Sequence, residues 1–483
     1  MSHPQPVQQQ KTFMGHPRAL GTLFSLEMWE RFSYYGMQAI LAYYMYYSAT
    51  QGGLGMDRSV AVSLVGAYGG SVYLCTILGA WLADRVLGSE RVLFYSATMI
   101  MAGHIALAIL NGGLGLTIGL ILVAVGSGGL KANASSIVGT LYAEGDPKRD
   151  AGFSIFYMSI NIGALAGPLL TGLLQTRMGF HYGFGAAAVG MALGLGIYFI
   201  GRKNIPAEAN EVADPLHGKV LIHYAIGFLA CIAIVAALFI GGIITPANLA
   251  DSISYAVIAA IIIYFIVILR SKEVSSTERS RVYAFIPLFI ASVAFWALFQ
   301  QQFTFIAVYA DEKLNRSLLG WEMPASWAQS INPVFIILFA GLFAAMWTKM
   351  GKKQPSTPVK FSLALMLIGL AFLAFIPLNT LEKTPLLAFI GIILLFTWAE
   401  LLISPIGLSV TTKLAPKAFR TQMLALFFLS LSLGTIFAGI FAGYYQPGNE
   451  VRYFVSLGAS CIVLGIILLL CTPWIKRMMQ GVQ

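Results

Sequence analysis

Charge is what this sequence has least of. Asp, Glu, Lys and Arg make up 10% of its 483 residues, against about 25% in an ordinary soluble domain. With 58% hydrophobic residues and a mean hydropathy of +0.78, a water-soluble fold is excluded. Cysteine is scarce too. Cys75, Cys231, Cys461 and Cys471 lie in apolar runs with no CxxC or His-ligand spacing, so they read as buried thiols and support neither a disulfide framework nor a metal site. No polar stretch is long enough for a separate soluble domain. The opening residues, MSHPQPVQQQK, lack the short apolar core of a cleavable signal, so the first membrane helix is expected to act as its own insertion signal. The formal net charge of +10 comes from cations gathered in short loops, which argues for membrane topology and against a nucleic-acid partner.

What is present is a series of apolar runs of about 20 residues, the length that crosses a bilayer as a helix. They lie near 20–47, 59–83, 90–111, 114–141, 152–176, 180–201, 220–244, 250–270, 281–310, 328–350, 359–379, 385–412, 420–445 and 452–475. The expected fold class is an all-α polytopic membrane protein of 14 transmembrane helices, grouped six, two and six. The division is 1–201 for an N-terminal six-helix bundle, 202–279 for a linker with two additional helices, and 280–483 for a C-terminal six-helix bundle. With a cytoplasmic N-terminus, Arg85, Arg91, Lys148, Arg149, Arg202, Lys203, Arg270, Lys272, Arg279, Arg281, Lys349, Lys352, Lys353, Lys413, Lys417, Arg420, Lys476 and Arg477 fall inside. Only Arg58, Arg177, Lys313, Arg316, Lys383 and Arg452 fall outside. The bias puts both termini in the cytoplasm.

The first helix carries EMWERFSYYGMQ, residues 27–38. At about 100° per residue, Glu27, Glu30, Arg31, Tyr34, Tyr35 and Gln38 share about 140° of one face, while Met28, Trp29, Phe32 and Met37 lie mainly off it. Charge within a membrane helix is costly and normally faces a cavity or a partner. Lys131, in GSGGLKANASS, sits too far from its helix end to reach the interface easily. It needs an anionic partner, and Glu27 and Glu30 look like the deep acids of the first half. In the second half the deep acid is Glu400, in WAELLISP. Asn133, Asn161, Asn332 and Gln300 are each as well explained by helix–helix hydrogen bonding as by ligand binding. Tyr46 and Tyr47 read as interfacial aromatics, and His104 and His223 as structural. A ligand between the halves would meet Arg31 and Lys131 on one side and Glu400 on the other. That suits a short zwitterion, with Tyr34, Tyr35, Tyr73, Asn161 and Asn332 offering hydrogen bonds along it.

Two sets of six helices suggest internal duplication with a site at the interface near the midplane. The loop GAWLADRVLGSER (79–91) resembles the G-x-x-A-D-R-x-x-G-x-R signature of the major facilitator superfamily, with Asp84 and Arg85 at its charged core. More specifically, EMWERFSYY matches the ExxERFxYY motif of the proton-dependent oligopeptide transporter family (POT/PTR2). GSGGLKANASSIVGTLY, FYMSINIGALAGP, WAELLISPIGLSVTTKLAP and FFLSLSLGTIFAG resemble that family's later segments, in its order. The helix pair between the halves is similar to that of bacterial members.

The resemblance implies a proton-coupled symporter importing di- and tripeptides by alternating access through the major facilitator fold, in the plasma membrane, without enzymatic activity and working as a monomer. Protons are the coupling ion; no cofactor or metal is implied. The alternative is a same-fold transporter of another small anion or zwitterion, such as nitrate or an amino acid, and more remotely a membrane receptor or enzyme. Carried over, Glu27, Glu30, Arg31 and Lys131 form the proton-coupling cluster. Arg31, Tyr34, Tyr35, Tyr73, Lys131, Asn161, Trp296, Gln300, Asn332 and Glu400 are the peptide-binding set. Gln38 and Gln300 stand where many members have opposite charges, so a gate between them would be a neutral amide pair. Phe427 stands where many members have Trp, and Leu431 where a small polar residue can occur.

Overall fold

The computed structural model describes residues 12–143, 146, 148–318 and 320–482; the opening segment 1–11 lies outside them. A short hairpin, β1 (Thr12–Phe13) with β2 (His16–Pro17), precedes the first helix. The N-terminal bundle is α1 (Arg18–Tyr46), α2 (Arg58–Leu82), α3 (Ser89–Ile109), α4 (Gly112–Thr140), α5 (Arg149–Met178) and α6 (Phe180–Gly201). The linker carries α7 (Gly218–Ile240) and α8 (Leu249–Arg270). The C-terminal bundle is α9 (Ser276–Phe299) continued by α10 (Phe305–Glu312), then α11 (Ile331–Met350), α12 (Thr357–Leu373), α13 (Leu386–Leu414), α14 (Arg420–Ala442) and α15 (Glu450–Met478). Among the described residues, 13 helical stretches are long and apolar enough to cross a membrane. At 29 residues α1 is as long as any of them but for two 30-residue stretches and the composite α9–α10, and its charged turn makes it the least apolar; it brings the set to fourteen.

Small residues decide which helices approach. On α5 the run GALAG faces α1: a Cβ on Gly163 would lie 2.3 Å from the Met28 carbonyl oxygen, and one on Gly167 would lie 2.4 Å from that of Phe32. Gly79 of α2 meets Gly129 of α4 in the same way. Such small-residue seams replace hydrophobic exclusion as the glue between membrane helices. Asn133 fastens the second seam, donating to the carbonyls of Gly79 at 3.3 Å and Gly129 at 2.8 Å. Of the two readings left open for Asn133, interhelical bonding is the one realised.

The two bundles meet along α2 against α14 and along α5 against α11. Gly66 and Gly439 face each other across the first contact, where a Cβ on Gly66 would come within 2.6 Å of the Gly439 Cα. Ser432 donates to the Gly70 carbonyl at 2.9 Å. Across the second, Trp327 Nε1 donates to Leu169 O at 2.9 Å and Ser330 Oγ to Leu165 O at 3.1 Å. The end of α1 is tied to α10: Tyr43 donates to Ala307 O at 3.0 Å, and Tyr46 and Tyr47 each donate to a carboxylate oxygen of Asp311 at 2.8 Å. Arg58 and Glu312 pair at 2.5 Å. One end of the molecule is thus closed between the halves. Tyr46 and Tyr47, expected as simple interfacial aromatics, are part of that closure, because α10 presents a carboxylate to both hydroxyls. At the opposite end α4 and α13 do not pack closely.

Three sequence expectations need correction. The ninth apolar run is not one helix: the chain leaves helical geometry at Thr304, with φ −121° and ψ −90°, between α9 and α10. Cys231 and Cys471 are exposed on the outside of the helix bundle, Cys75 is half-buried and Cys461 is buried; all four are free thiols. An apolar run is buried in lipid as readily as in protein, so apolarity alone could not place them. Glu90, not counted with Glu27 and Glu30 among the deep acids of the first half, is buried, with its carboxylate bonded to Arg202 at 2.9 Å and to the Tyr198 hydroxyl at 3.0 Å.

Candidate substrate site and coupling cluster

The charged turn of α1 folds as the helical spacing requires. Glu27 and Arg31 are one turn apart, and Arg31 Nε lies 3.0 Å from Glu27 Oε1 and 2.6 Å from Glu30 Oε2. All three are nearly inaccessible to solvent. Ser127 of α4 donates to the other Glu30 oxygen at 2.9 Å. One guanidinium therefore serves two carboxylates, leaving the buried triad one negative charge in excess with both acids ionised. Glu27 Oε2 and the guanidinium nitrogen Arg31 Nη2 have no hydrogen-bond partner among the described residues, and Glu30 Oε2 has its ion-pair contact with Arg31 alone. An unpaired buried charge is expensive, so the triad is a natural place for a proton to be taken up.

A cavity of 640 Å³ lies between the bundles. Its wall includes Glu27, Arg31, Tyr34, Tyr35, Gln38, Tyr73 and Lys131 from the first half. Asn161 joins them from α5, and Trp296, Gln300, Asn332 and Glu400 come from the second half. Glu30 is not in the wall; it lies behind Arg31, fully buried. The cavity reaches Ser135 of α4 and Leu408 and Thr412 of α13, toward the end opposite the closure. Phe427 and Leu431 also line it.

The partners differ in part from those the sequence suggests. Lys131 has no carboxylate within 4.0 Å among the described residues; its ammonium lies 4.3 Å from the centre of the Tyr73 ring. Arg31 already occupies both acids, and the aromatic face is the remaining stabiliser of a cation there. Gln38 and Gln300 are not bonded to each other. Gln300 Nε2 instead donates to the Tyr73 hydroxyl at 3.3 Å, since the 3-10 turn at Gln300–Phe303 follows the end of α9. Tyr73 of α2 thus touches Lys131 through its ring and the second half through its hydroxyl. Asn332 Nδ2 donates to Glu400 Oε2 at 3.2 Å and to Thr397 Oγ1 at 3.1 Å. Asn161 donates to the Tyr157 carbonyl at 3.1 Å. Tyr34 and Tyr35 meet edge to face, and the Arg31 guanidinium lies 5.6 Å from the Tyr34 ring centre.

Away from the cavity, Asp84 is exposed and Arg85 pairs with Asp214 of the linker. Linker amides donate to the Asp84 and Arg85 carbonyls at 2.9 and 3.0 Å. The loop motif therefore anchors the linker and takes no part in the cavity. Residues that sequence reasoning passed over in the wall include Tyr157, Gln302, Phe303 and Gln329. For Gln329 a signal existed: it stands three residues before Asn332, the spacing of one helical face.

Two six-helix bundles closed together at one end over a charged, aromatic-lined cavity define a membrane transporter of the major facilitator class. Comparison with known proteins narrows this. The profile of the POT family (PTR2) matches residues 90–463. The chain is 47% identical to the uncharacterized transporter YclF of Bacillus subtilis (strain 168), covering 98% of this chain and 97% of that protein. It is 40% identical to the di-/tripeptide transporter of Lactococcus lactis subsp. cremoris, covering 98% and 99%. Superposed on the crystal structure of a mutant peptide transporter POT in complex with alafosfalin, it gives a TM-score of 0.93 at 45% identity, with 98% of each chain covered. The chain belongs to the POT family, a family of multi-pass membrane transporters.

Proposed function

We propose that this chain is a proton-coupled symporter that imports di- and tripeptides by alternating access. The observation that carries the reading is the division of charge in one cavity. Arg31 and Lys131 stand on the wall of the first half, and Glu400 with Asn332 on the wall of the second. A peptide backbone has the complementary ends, a carboxylate and an ammonium. The Lactococcus lactis relative, named a di-/tripeptide transporter, supports the same substrate class. Protons, without metal or organic cofactor, serve as the coupling species, and the chain works as a monomer in the plasma membrane.

The positive-inside bias orients it. Arg58, Arg316 and Lys383 all cluster with Asp311 and Glu312 at the closed end. With both termini cytoplasmic, the closed end faces outward and the molecule is in an inward-facing state. In this state Glu27 and Glu30 hold Arg31. A proton arriving from outside on either acid releases the guanidinium for the peptide carboxylate, and Lys131, which lies over the Tyr73 ring, is ready to join it. Peptide bound between Arg31 and Glu400 draws the halves together, and loss of the proton inside re-forms the triad.

Uptake of labelled dialanine into proteoliposomes with an inward proton gradient tests this. Accumulation that depends on the gradient and is competed by dipeptides but not by free amino acids is the expected result. Equilibration without accumulation removes the coupling role of the triad. Competition by nitrate or free amino acids instead moves the substrate to that class.

A further inference from the structure

Among the described residues, Gln329 is a buried amide of the cavity wall with both ends unbonded, whereas Gln38 has a buried unpaired Oε1 alone. Gln329 is 5% exposed. Neither Oε1 nor Nε2 has a hydrogen-bond partner among the described residues. Its neighbours in the wall are committed: Asn332 donates to Glu400 and Thr397, Gln300 to Tyr73, and Asn161 to Tyr157. Leaving both ends of a buried amide unsatisfied is costly, and protein interiors tolerate it mainly where a ligand or water completes the bonds. Backbone geometry holds Gln329 in place. It lies on the 3-10 turn Ala325–Ser330, which runs directly into α11. That turn is pinned to α5 by Trp327 and Ser330.

We infer that Gln329 reads the peptide backbone, its Oε1 accepting the first peptide N–H of the substrate. This rests on the peptide-transport reading above. Gln329 precedes Asn332 by three residues across the junction of the 3-10 turn with α11, about 5–6 Å along the axis. An extended chain advances about 3.3–3.6 Å per residue, so an ammonium held at Glu400 and Asn332 puts the first peptide group within a residue's length of Gln329. An extended residue projects its own N–H and C=O to the same side. In a tripeptide, therefore, Oε1 takes the N–H of the middle residue and Nε2 donates to its carbonyl. In a dipeptide only the first bond forms. Side chains are left unread, so the contact favours peptides as a class.

The test pairs one edit of the ligand with one of the protein. Diglycine and 5-aminolevulinic acid share an ammonium, a carbonyl and a carboxylate separated by the same number of bonds; the second has CH2 where the first has N–H. Binding of each to the purified full-length protein is measured by calorimetry, for the wild type and for Gln329→Leu. A site built around a substrate N–H rejects the analogue that lacks it. The expected preference of the wild type for diglycine is about tenfold, the scale of one hydrogen bond, and it collapses to within about twofold in the variant. An unchanged preference overturns the inference, as does an equal loss for both ligands, which marks a structural role. If Gln329→Leu does not fold, Gln329→Met, closer in shape, is measured the same way. Failure of the wild type to bind diglycine sinks the peptide reading itself; binding with no Gln329 effect sinks only this inference.

Discussion

At the scale of single residues the cavity behaves as a set of competing claims on charge. Arg31 sits between Glu27 and Glu30, and only one of the acids can be neutralised in full. Glu27→Gln or Glu30→Gln should therefore abolish gradient-driven uptake while peptide exchange across the membrane survives; full concentrative uptake by both variants would contradict the scheme. Arg31→Leu is a different kind of change. It strands two buried carboxylates, and removing one partner of a buried pair costs about 3–5 kcal/mol, so thermal stability in detergent should fall along with transport. On the other wall, Glu400 accepts from Asn332 and, among the described residues, from no other donor. Glu400→Gln should weaken binding of a dipeptide with a free amino terminus by about tenfold or more, since bonds to charged groups contribute about 1.5–3 kcal/mol. The same peptide with its amine acetylated should bind wild type and variant alike, as a competition assay would read.

Whole elements carry the closure. Tyr43, Tyr46 and Tyr47 span one turn at the end of α1, and Asp311 of α10 accepts from two of them. With Gln38 and Gln300 not bonded to each other, this tyrosine–aspartate clasp and the Arg58–Glu312 pair are polar links of α1 and α2 to α10. Asp311→Ala removes two bonds to a charged acceptor and should populate a state open at this end. Spin labels in the loops at 52–56 and 380–383 would then gain a longer-distance population; an unaltered distribution would show the clasp to be idle. The start of α2 has its own support. Asp57 caps it, accepting from the amides of Ser59 at 2.8 Å and Val60 at 3.3 Å. The Ser59 hydroxyl, which also donates to this carboxylate, and then the amide bonds hold the carboxyl below its usual pKa. The contribution is present above the unfolded value near 3.9 and is lost as the pH falls through the lower folded value; being exposed, it is small. Asp57→Ala should lower the melting temperature by about one degree at neutral pH, as loss of a cap costs about 1 kcal/mol and a chain of this length has a large unfolding entropy.

Across the whole molecule, alternating access requires that the seam between α2 and α14 open and close as a unit. Gly66 and Gly439 set how near the two helices come. Gly66→Leu cannot be accommodated with the seam closed, so it should favour the opposite state and slow the transport cycle. Sidedness gives the check. In a background without the four natural cysteines, Leu408→Cys lies at the open mouth of the cavity and should react with an impermeant thiol reagent from the cytoplasmic face. Adding Gly66→Leu should protect it; equal reactivity in both proteins would argue that the seam is not what separates the states.

Much of this was legible in the chain itself. Fourteen spans, their six-two-six grouping and the charged face of α1 follow from local rules, because a bilayer of fixed thickness sets the length of every run and makes each intramembrane charge conspicuous. The motifs around Glu27–Tyr35, Lys131, Asn161 and Glu400 pointed to the same family that comparison shows. What tertiary structure alone decided was who meets whom. Arg31 takes both acids, and Lys131 turns to the Tyr73 ring. Gln300 bonds Tyr73 rather than Gln38, Glu90 finds Arg202, and Asp311 gathers two tyrosines. Gln329 is left facing the cavity with its amide free. Each outcome depends on the rotation and approach of helices far apart in sequence, set by seams such as Gly163–Gly167 on α1 and Gly66 on Gly439, and no periodicity within one helix carries that information.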